Sequence, residues 1–424
     1  MRFLSYIFII MQQNTYHKRQ KEPIWIAIIR VALAFLFLFS GLSKAIDPVA
    51  SAIQMDDYFI SFGMGFLHPI ALWVAVLMNI VEFTLGFMLL FKIKVRFTSV
   101  IFLLFMLFFL LLTLWLWVAE YHEVNNLLLF GKFKIQGVVK DCGCFGKAIE
   151  INNRGTFLKN VIIMIPTLIL FFKRGRIPDI RLTGLGQCLL TLIGVLIAAF
   201  LQFYCYRHLP VIDLNKDWKK GSNLAITFTE EPDRIAAFFT YQNKKDSSIL
   251  VLDKEAMMSI TDRLPLFYDE YEYLDRRDSI IEPGREPKVE GFSMLDSTGS
   301  DYALPLLNPT HLKPLFILVM NDLREVNIEG LQNENLQTLV NEAKKGTIEI
   351  VGLTTNTPEE AHAFAKFHHL DFPIYCNNPF DPAKGPFIVR DAIRSNPGLI
   401  LIQGGVVLQK WAWRDFPAWD KIKY

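Results

Sequence analysis

Five apolar runs of near-membrane length, all before about residue 206, decide most of what this chain can fold into. A helix needs about 20 mostly apolar residues to cross the hydrocarbon of a bilayer. Residues 24–43, 69–91, 97–119, 157–172 and 185–204 meet or approach that length. The fourth run is short and contains Pro166, so hydropathy supports it least. Residues 1–10 are apolar but too short to span, and no small-residue cleavage site follows them. They read as an extraneous N-terminal extension, with Met11 as an alternative start. Beyond residue 206 the composition is that of an ordinary globular protein, which implies a membrane half followed by a soluble half. A net charge of +2 and the lack of a long Lys/Arg run argue against nucleic acid as a partner.

Charge sets the expected topology. Lys18, Arg19 and Lys21 precede the first run, Lys92, Lys94 and Arg96 join the second to the third, and Lys173, Arg174, Arg176 and Arg181 join the fourth to the fifth. These segments alternate and therefore share one side, which the positive-inside rule makes cytoplasmic. With five spans the N-terminus lies inside and the soluble half outside. Losing the fourth span would reverse the soluble half. The loops 44–68 and 120–156 face outward on this topology, which in a bacterium means the periplasm or cell exterior.

The outward loop at 120–156 carries Asp141-Cys142-Gly143-Cys144-Phe145-Gly146. Thiol–disulfide exchange needs a nucleophilic thiolate, access and a nearby second sulfur. A Cys-x-Cys disulfide closes a very small ring, and the resulting strain makes such a bond labile or oxidising. Gly143 supplies backbone freedom, while Lys140 and Lys147 favour the thiolate and Asp141 opposes them. Other readings stay open: a structural disulfide, with Cys205 as one conceivable partner, or a metal site. No nearby histidine completes a zinc set, so no metal site is expected. Cys188 and Cys205 sit at opposite ends of the fifth run and cannot pair in a straight helix.

Glu82 lies well inside the second run, where an ionisable group is costly and often functional. A proton or quinone-related role is one reading. A protonated acid hydrogen-bonded to a neighbouring helix is the other. Lys44, at the outer end of the first run, reads as an interfacial anchor whose amine reaches water.

In the soluble half, 225–228, 235–241 and 248–252 read as short strands, and 315–320 as a buried parallel strand. A helix is expected over 328–345, a strand over 348–353, a helix from Pro358 to about 368, and strands over 372–375 and 399–402. Gly404-Gly405 turns the last of these into a hairpin with 406–411. The adjacent His368 and His369 read as a solvated helix end, and the tryptophans near the C-terminus as packing.

Two resemblances emerge from these residues. Phe39-Ser40-Gly41-Leu42-Ser43-Lys44 with Asp47-Pro48, and Glu82-Phe83-Thr84-Leu85-Gly86, resemble the DoxX-type membrane proteins. The Cys142-Gly143-Cys144-Phe145-Gly146 loop is similar to the MauE (methylamine utilisation) branch, over about residues 24–173. That resemblance implies a four-helix membrane domain engaged in periplasmic redox maturation. The strand order of the soluble half resembles the thioredoxin-like fold in its TlpA and peroxiredoxin-like branch. Its strongest mark is Ser395-Asn396-Pro397-Gly398, which matches a proline that is usually cis. The segment 292–301 looks like the leader hairpin of that branch.

The sequence departs from the family at the place where a redox-active member carries Cys-x-x-Cys. Here it reads Asn321-Asp322-Leu323-Arg324, and Cys376 lies elsewhere as an expected buried thiol. Asn396 and Pro397 then become a candidate surface for holding a client polypeptide.

The expected organisation is a cytoplasmic segment (1–23), a DoxX/MauE-like helical bundle (24–173), an added span (174–206), a β-rich periplasmic leader (207–290) and an α/β thioredoxin-like domain lacking Cys-x-x-Cys (291–424). The expected setting is the bacterial inner membrane, with the bilayer and a periplasmic client or thiol protein as partners. Three functions compete. In a disulfide relay, a thiol–disulfide oxidoreductase, Cys142 and Cys144 would exchange electrons with a quinone in the bundle or another thiol. A non-enzymatic assembly factor would use its cysteines structurally. A small-molecule carrier would be centred on Glu82.

Overall fold

Each of the five apolar runs folds as a helix long and apolar enough to cross a membrane, 23 to 27 residues in length. The structure, a computed structural model, describes residues 21–124, 139, 151–231, 233–260, 264–377 and 385–422. The chain divides into two units, residues 1–215 and 216–424.

In the first unit, α1 (Ile24–Ile46) runs into α2 (Pro48–Ser61) through Asp47. The Asp47 carboxylate accepts from the Ala50 N–H at 2.9 Å and Pro48 opens the new helix, so capping and proline together force the break. The region expected as an outer loop is therefore largely helical, continuing through a 3₁₀ turn (Gly65–Ile70) into α3 (Ala71–Leu90). Then come α4 (Val95–Val124), α5 (Asn153–Lys173) and α6 (Gly184–Arg207).

The fourth expected span is longer than its apolar run because α5 begins in polar sequence. Asn152 caps it by accepting from Gly155 N, and Asn153, Thr156 and Asn160 are buried against the bundle. Hydropathy misses a helix whose buried face is its polar one.

Two glycines set the tightest crossing. A Cβ at Gly41 would lie 2.7 Å from the Phe83 nitrogen, and one at Gly86 would lie 2.8 Å from the Leu38 nitrogen, so α1 and α3 pack backbone to backbone. α6 joins them through Gly194, which seats the Phe87 ring, and through Gln202, whose side-chain oxygen accepts from the Asn79 amide at 3.1 Å. α5 pairs with α4, with the Asn160 amide donating to the Thr113 hydroxyl at 3.2 Å. Phe35, Trp73, Leu111, Phe172 and Phe200 point outward and give the unit an apolar exterior.

Among the described residues, the basic segments 92–96 and 173–181 share one end; Lys18 and Arg19 lie outside the described residues. Buried Arg30 pairs with Glu22 at 2.8 Å and donates to the Leu89 and Leu90 carbonyls, closing the C-terminus of α3. Lys92 lies 3.6 Å from the same Glu22, and Asp179 accepts from the Val95 N–H at 2.8 Å.

The second unit opens with α7 (Leu224–Phe228), where a strand was expected. Asn223 accepts from Ile226 N and so caps a helical turn, and Phe228 packs with Trp218 and Phe292. An antiparallel sheet follows in the order β2-β1-β3: β1 (Arg234–Asn243), β2 (Ile249–Asp253) and β3 (Tyr271–Glu282). Helices α8 (Lys254–Ser259) and α9 (Leu264–Glu270) link β2 to β3. The segment 294–302 then makes the expected leader hairpin, with Tyr302 N donating to Met294 O and Asp296 N to Ser300 O, before α10 (Ala303–Leu307).

The last domain holds β4 (Leu315–Val319), α11 (Ile328–Leu331), α12 (Glu334–Lys344), β5 (Glu349–Thr354), α13 (Pro358–Phe367), β6 (Ile374–Cys376), α14 (Gly385–Ala392), β7 (Gly398–Gln403) and β8 (Val406–Ala412). The single helix expected over 328–345 is two, because Asn333 leaves the helix to cap α12. The sheet order is β6-β5-β4-β7-β8, with β4, β5 and β6 parallel and β7 and β8 antiparallel. A central strand flanked by one parallel and one antiparallel neighbour, then closed by a hairpin, is the thioredoxin-like arrangement. All five β4 residues are fully buried, as a central strand between two covered faces requires.

Candidate functional site

Close approach of α1 and α3 brings opposite charges together. Gly41 and Lys44 are three residues apart on α1, and Glu82 and Gly86 four apart on α3, so each glycine shares a face with a charged neighbour. Where the glycines let the backbones meet, Lys44 Nζ lies 2.6 Å from Glu82 Oε2. The two residues are 8% and 6% exposed. The Lys44 amine also sits 5.6 Å from the centre of the Phe109 ring.

Glu82 is thus inside the bundle as expected, but its hydrogen-bonding neighbour is Lys44. Lys44 does not reach for water as an interfacial anchor would. The reason is local: α1 continues to Ile46, one turn past the expected end of the span, and α2 packs on α3 at this end.

A cavity of about 40 Å³ adjoins the pair, lined by Ser40, Lys44, Glu82, Lys159, Asn160 and Phe109 among others. Lys159 is the residue that sequence reading missed. It carried the same signal as Glu82, an ionisable group within an apolar stretch. The cavity has room for a water molecule or two. It falls far below the roughly 300 Å³ at which ligand pockets begin. As it stands the cavity is water-sized, and its charged lining is Lys44, Glu82 and Lys159.

Cys142 and Cys144 lie outside the described residues, but the points flanking their segment are placed. The Asn153 amide, at the start of α5, donates to the Val139 carbonyl at 2.8 Å. Val139 packs with Tyr58 of α2 and Leu116 of α4. Val139 and Asn153, which flank the two cysteines in sequence, therefore both lie at the α2 end of the bundle, away from Arg30 and Lys92. Cys205 is buried and has no disulfide to another described residue, and exposed Cys188 has its sulfur 3.4 Å from Lys94 Nζ.

In the thioredoxin-like domain, the Asn396–Pro397 peptide bond is cis. Asn396 is tied on both sides: its carbonyl accepts from Asn327 N at 3.0 Å, and its amide donates to Asp322 O at 2.8 Å. Pro397 is buried, with its ring against Gly330 and Trp413, and a Cβ at Gly330 would lie 2.9 Å from Pro397 Cγ. Of the candidate client surface, Asn396 is half-buried and Pro397 is covered.

The proline thus adjoins the Asn321–Arg324 segment, where a redox-active relative keeps its dithiol. Asp322 and Arg324 form a two-pronged pair there, at 2.9 and 2.7 Å. Hydrogen bonding from Arg324 holds the Asp322 carboxyl below the usual carboxylate range. Asn356 accepts from Leu323 N at 2.9 Å and donates to Glu360 at 2.9 Å, which completes a polar cluster without sulfur. Cys376 is two strands away from β4, and burial pushes its thiol up to about 11, with Glu359 and Glu360 adding to the effect. It is almost wholly in the unreactive thiol form near neutral pH.

Residues 22–125 match the family model of the methylamine utilisation protein MauE. No curated protein matches the chain. Among solved structures, the chain is similar to the C-terminal domain of a Bacteroides thetaiotaomicron protein assigned as a thiol-disulfide oxidoreductase. Identity is 18%, the alignment covers 28% of this chain and 81% of that one, and the TM-score is 0.24. The thioredoxin-like assignment rests on the strand order described above. What stands is a multi-pass membrane protein whose residues 22–125 are similar to the MauE family, with a C-terminal domain of thioredoxin-like strand order.

Proposed function

We propose that this joining of a MauE membrane region to a dithiol-free thioredoxin-like domain serves thiol–disulfide handling at the extracytoplasmic face of a bacterial inner membrane. In this reading the basic end of the bundle is cytoplasmic, and the α2 end and soluble unit are periplasmic. A client thiolate attacks the Cys142–Cys144 disulfide and forms a mixed disulfide. The client's second thiolate displaces it, leaving the client oxidised and Cys142 and Cys144 reduced, with the electron pair moved between the two sulfur couples. The reverse exchange reduces a client disulfide. Cys142 and Cys144 return to the disulfide by exchange with a second protein's disulfide, which takes the electron pair and leaves as a dithiol; a quinone is the alternative acceptor.

The observation that carries this reading is the attachment of the cysteine segment. Asn153 and Val139 hold its two ends at the α2 end of the bundle, opposite the Arg30–Lys92 end. A Cys-x-Cys pair that lies between Val139 and Asn153 in sequence suits exchange with proteins that approach from that face. Lys44 and Glu82 act as positioning residues, locking α1 to α3 beneath it.

Differential thiol alkylation in intact cells, read by mass spectrometry across a reductant titration, tests the proposal. A Cys142–Cys144 bond that titrates at a mildly oxidising potential, or a trapped mixed disulfide with a client, is the expected result. A reduction-resistant bond to Cys205, or two permanently free thiols, would overturn it. Those outcomes would favour a membrane-anchored assembly factor, a reading supported by the sulfur-free Asn321–Arg324 cluster. On that reading, Cys142→Ser with Cys144→Ser leaves client maturation unchanged.

A further inference from the structure

β6 is an edge strand with one unfilled position. Pairing with β5 turns the backbone groups of Tyr375 inward, and Gly352 N and Asn377 N extend the same ladder to Pro373 O and Thr354 O. By alternation, Ile374 and Cys376 present their N–H and C=O groups outward. Cys376 exchanges both bonds with Leu295, at 2.9 and 2.8 Å. In antiparallel register residue 297 would next face Ile374. The chain instead turns away, held by Asp296, which accepts from Thr298 N and Ser300 N. The Ile374 N–H and C=O have no partner among the described residues.

Beside this opening runs a groove of about 640 Å³ between α13, the 370–375 segment and the leader hairpin. Tyr302 and Tyr375 stand together in it, ring centres 5.2 Å apart. α13 brings His362 and Lys366 into the groove one turn apart, and His369, in the turn that follows the helix, lines the same groove. The carboxylates nearby are already occupied: Asp371 pairs with Lys344 at 2.7 Å, and Asp296 is spent on its own turn. Lys366 has no ion-pair partner among the described residues.

We propose that this groove binds an extended acidic polypeptide segment, which adds a short strand to β6 at Ile374 and places acidic side chains against Lys366. A strand lying there alternates its side chains, so every second residue faces α13 and meets the cationic wall. The site lies at the opposite edge of the sheet from β7 and β8, uses no cysteine, and does not depend on the disulfide chemistry proposed above.

The test uses the full chain in lipid nanodiscs and a fluorescein-labelled hexapeptide alternating Glu and Val, read by anisotropy. Its controls are the Lys/Val counterpart and an acidic hexapeptide N-methylated along its backbone. The acidic peptide is expected to bind about tenfold or more tightly than the basic one at low salt, with the gap narrowing as salt rises. Backbone methylation should abolish binding with no change to the protein. Lys366→Glu should weaken binding about tenfold, and Lys421→Glu, on a remote surface, should leave it intact. Equal binding of acidic and basic peptides, no binding, full binding of the methylated peptide, or indifference to Lys366→Glu would each overturn the proposal.

Discussion

Two of the chain's acid–base pairs, one joining distant helices and one within a single loop, differ in consequence. Lys44–Glu82 is enclosed in the helical bundle, whereas Asp322–Arg324 sits at the rim of a soluble domain with the Arg324 side chain 77% exposed. An enclosed pair has given up hydration, so each charge depends on the other. An exposed pair is screened by water and gains little. The same chemistry fixes two helices in one place and barely marks a surface in the other.

The sharpest way to break that contrast is to remove one partner at a time. Lys44→Met or Glu82→Leu alone should cost about 3–5 kcal/mol by leaving an unpaired buried charge, and the double variant should recover most of the loss. Thermal unfolding in detergent, followed by helix loss, measures all three. Equal stability of the singles and the wild type would show that water reaches the pair.

Next in size is Gly330→Ala. The added methyl meets Pro397 and Trp413, and should destabilise the soluble domain by about 1–3 kcal/mol in urea titrations followed by tryptophan fluorescence. Thiol accessibility should divide the described cysteines. Native alkylation should label Cys188 readily, and reach Cys205 and Cys376 only on denaturation. Rapid native labelling of Cys376 would contradict its burial and its raised thiol.

The smallest effect belongs to Arg324→Ala, about 0.5 kcal/mol or less once solvent screening is allowed for. Its sign with pH is fixed. Arg324 depresses the folded-state pKa of Asp322, so the pair stabilises above the ordinary carboxylate pKa and the benefit fades as pH falls through the folded value. The variant should therefore differ from wild type at neutral pH and converge with it in acid. A gap that widens in acid would reverse the assignment.

Much of this architecture was legible from apolar length and turn chemistry. The five spans, the strands of the last domain, the 404–405 turn and the missing dithiol all follow from local sequence. The failures share a cause, which is that a distant partner decided the outcome. β3 has little alternation in Tyr271-Glu-Tyr-Leu-Asp-Arg-Arg-Asp and forms by pairing along β1. α7 is short, and Asn223 and the Trp218 contact settle its state. Lys44 reads as a water-seeking anchor until the Gly41 and Gly86 spacings are set side by side. Lys159 lay in a span defined by averaging, which hides a single amine.

The Lys44–Glu82 pair also bears on how the protein enters its membrane. Taken singly, α3 carries the Glu82 carboxylate near its middle, where a charge costs about 2.5–3.5 kcal/mol to insert, and α1 carries the Lys44 amine in its last turn. Those penalties shrink once the helices meet, yet α2 and a 3₁₀ turn separate them in the chain. During synthesis α1 is therefore expected to stay beside the insertion machinery until α3 emerges to pair with it. Nascent chains cut before residue 82 should leave α1 cross-linked to that machinery, and chains extended past Gly86 should release it as a pair.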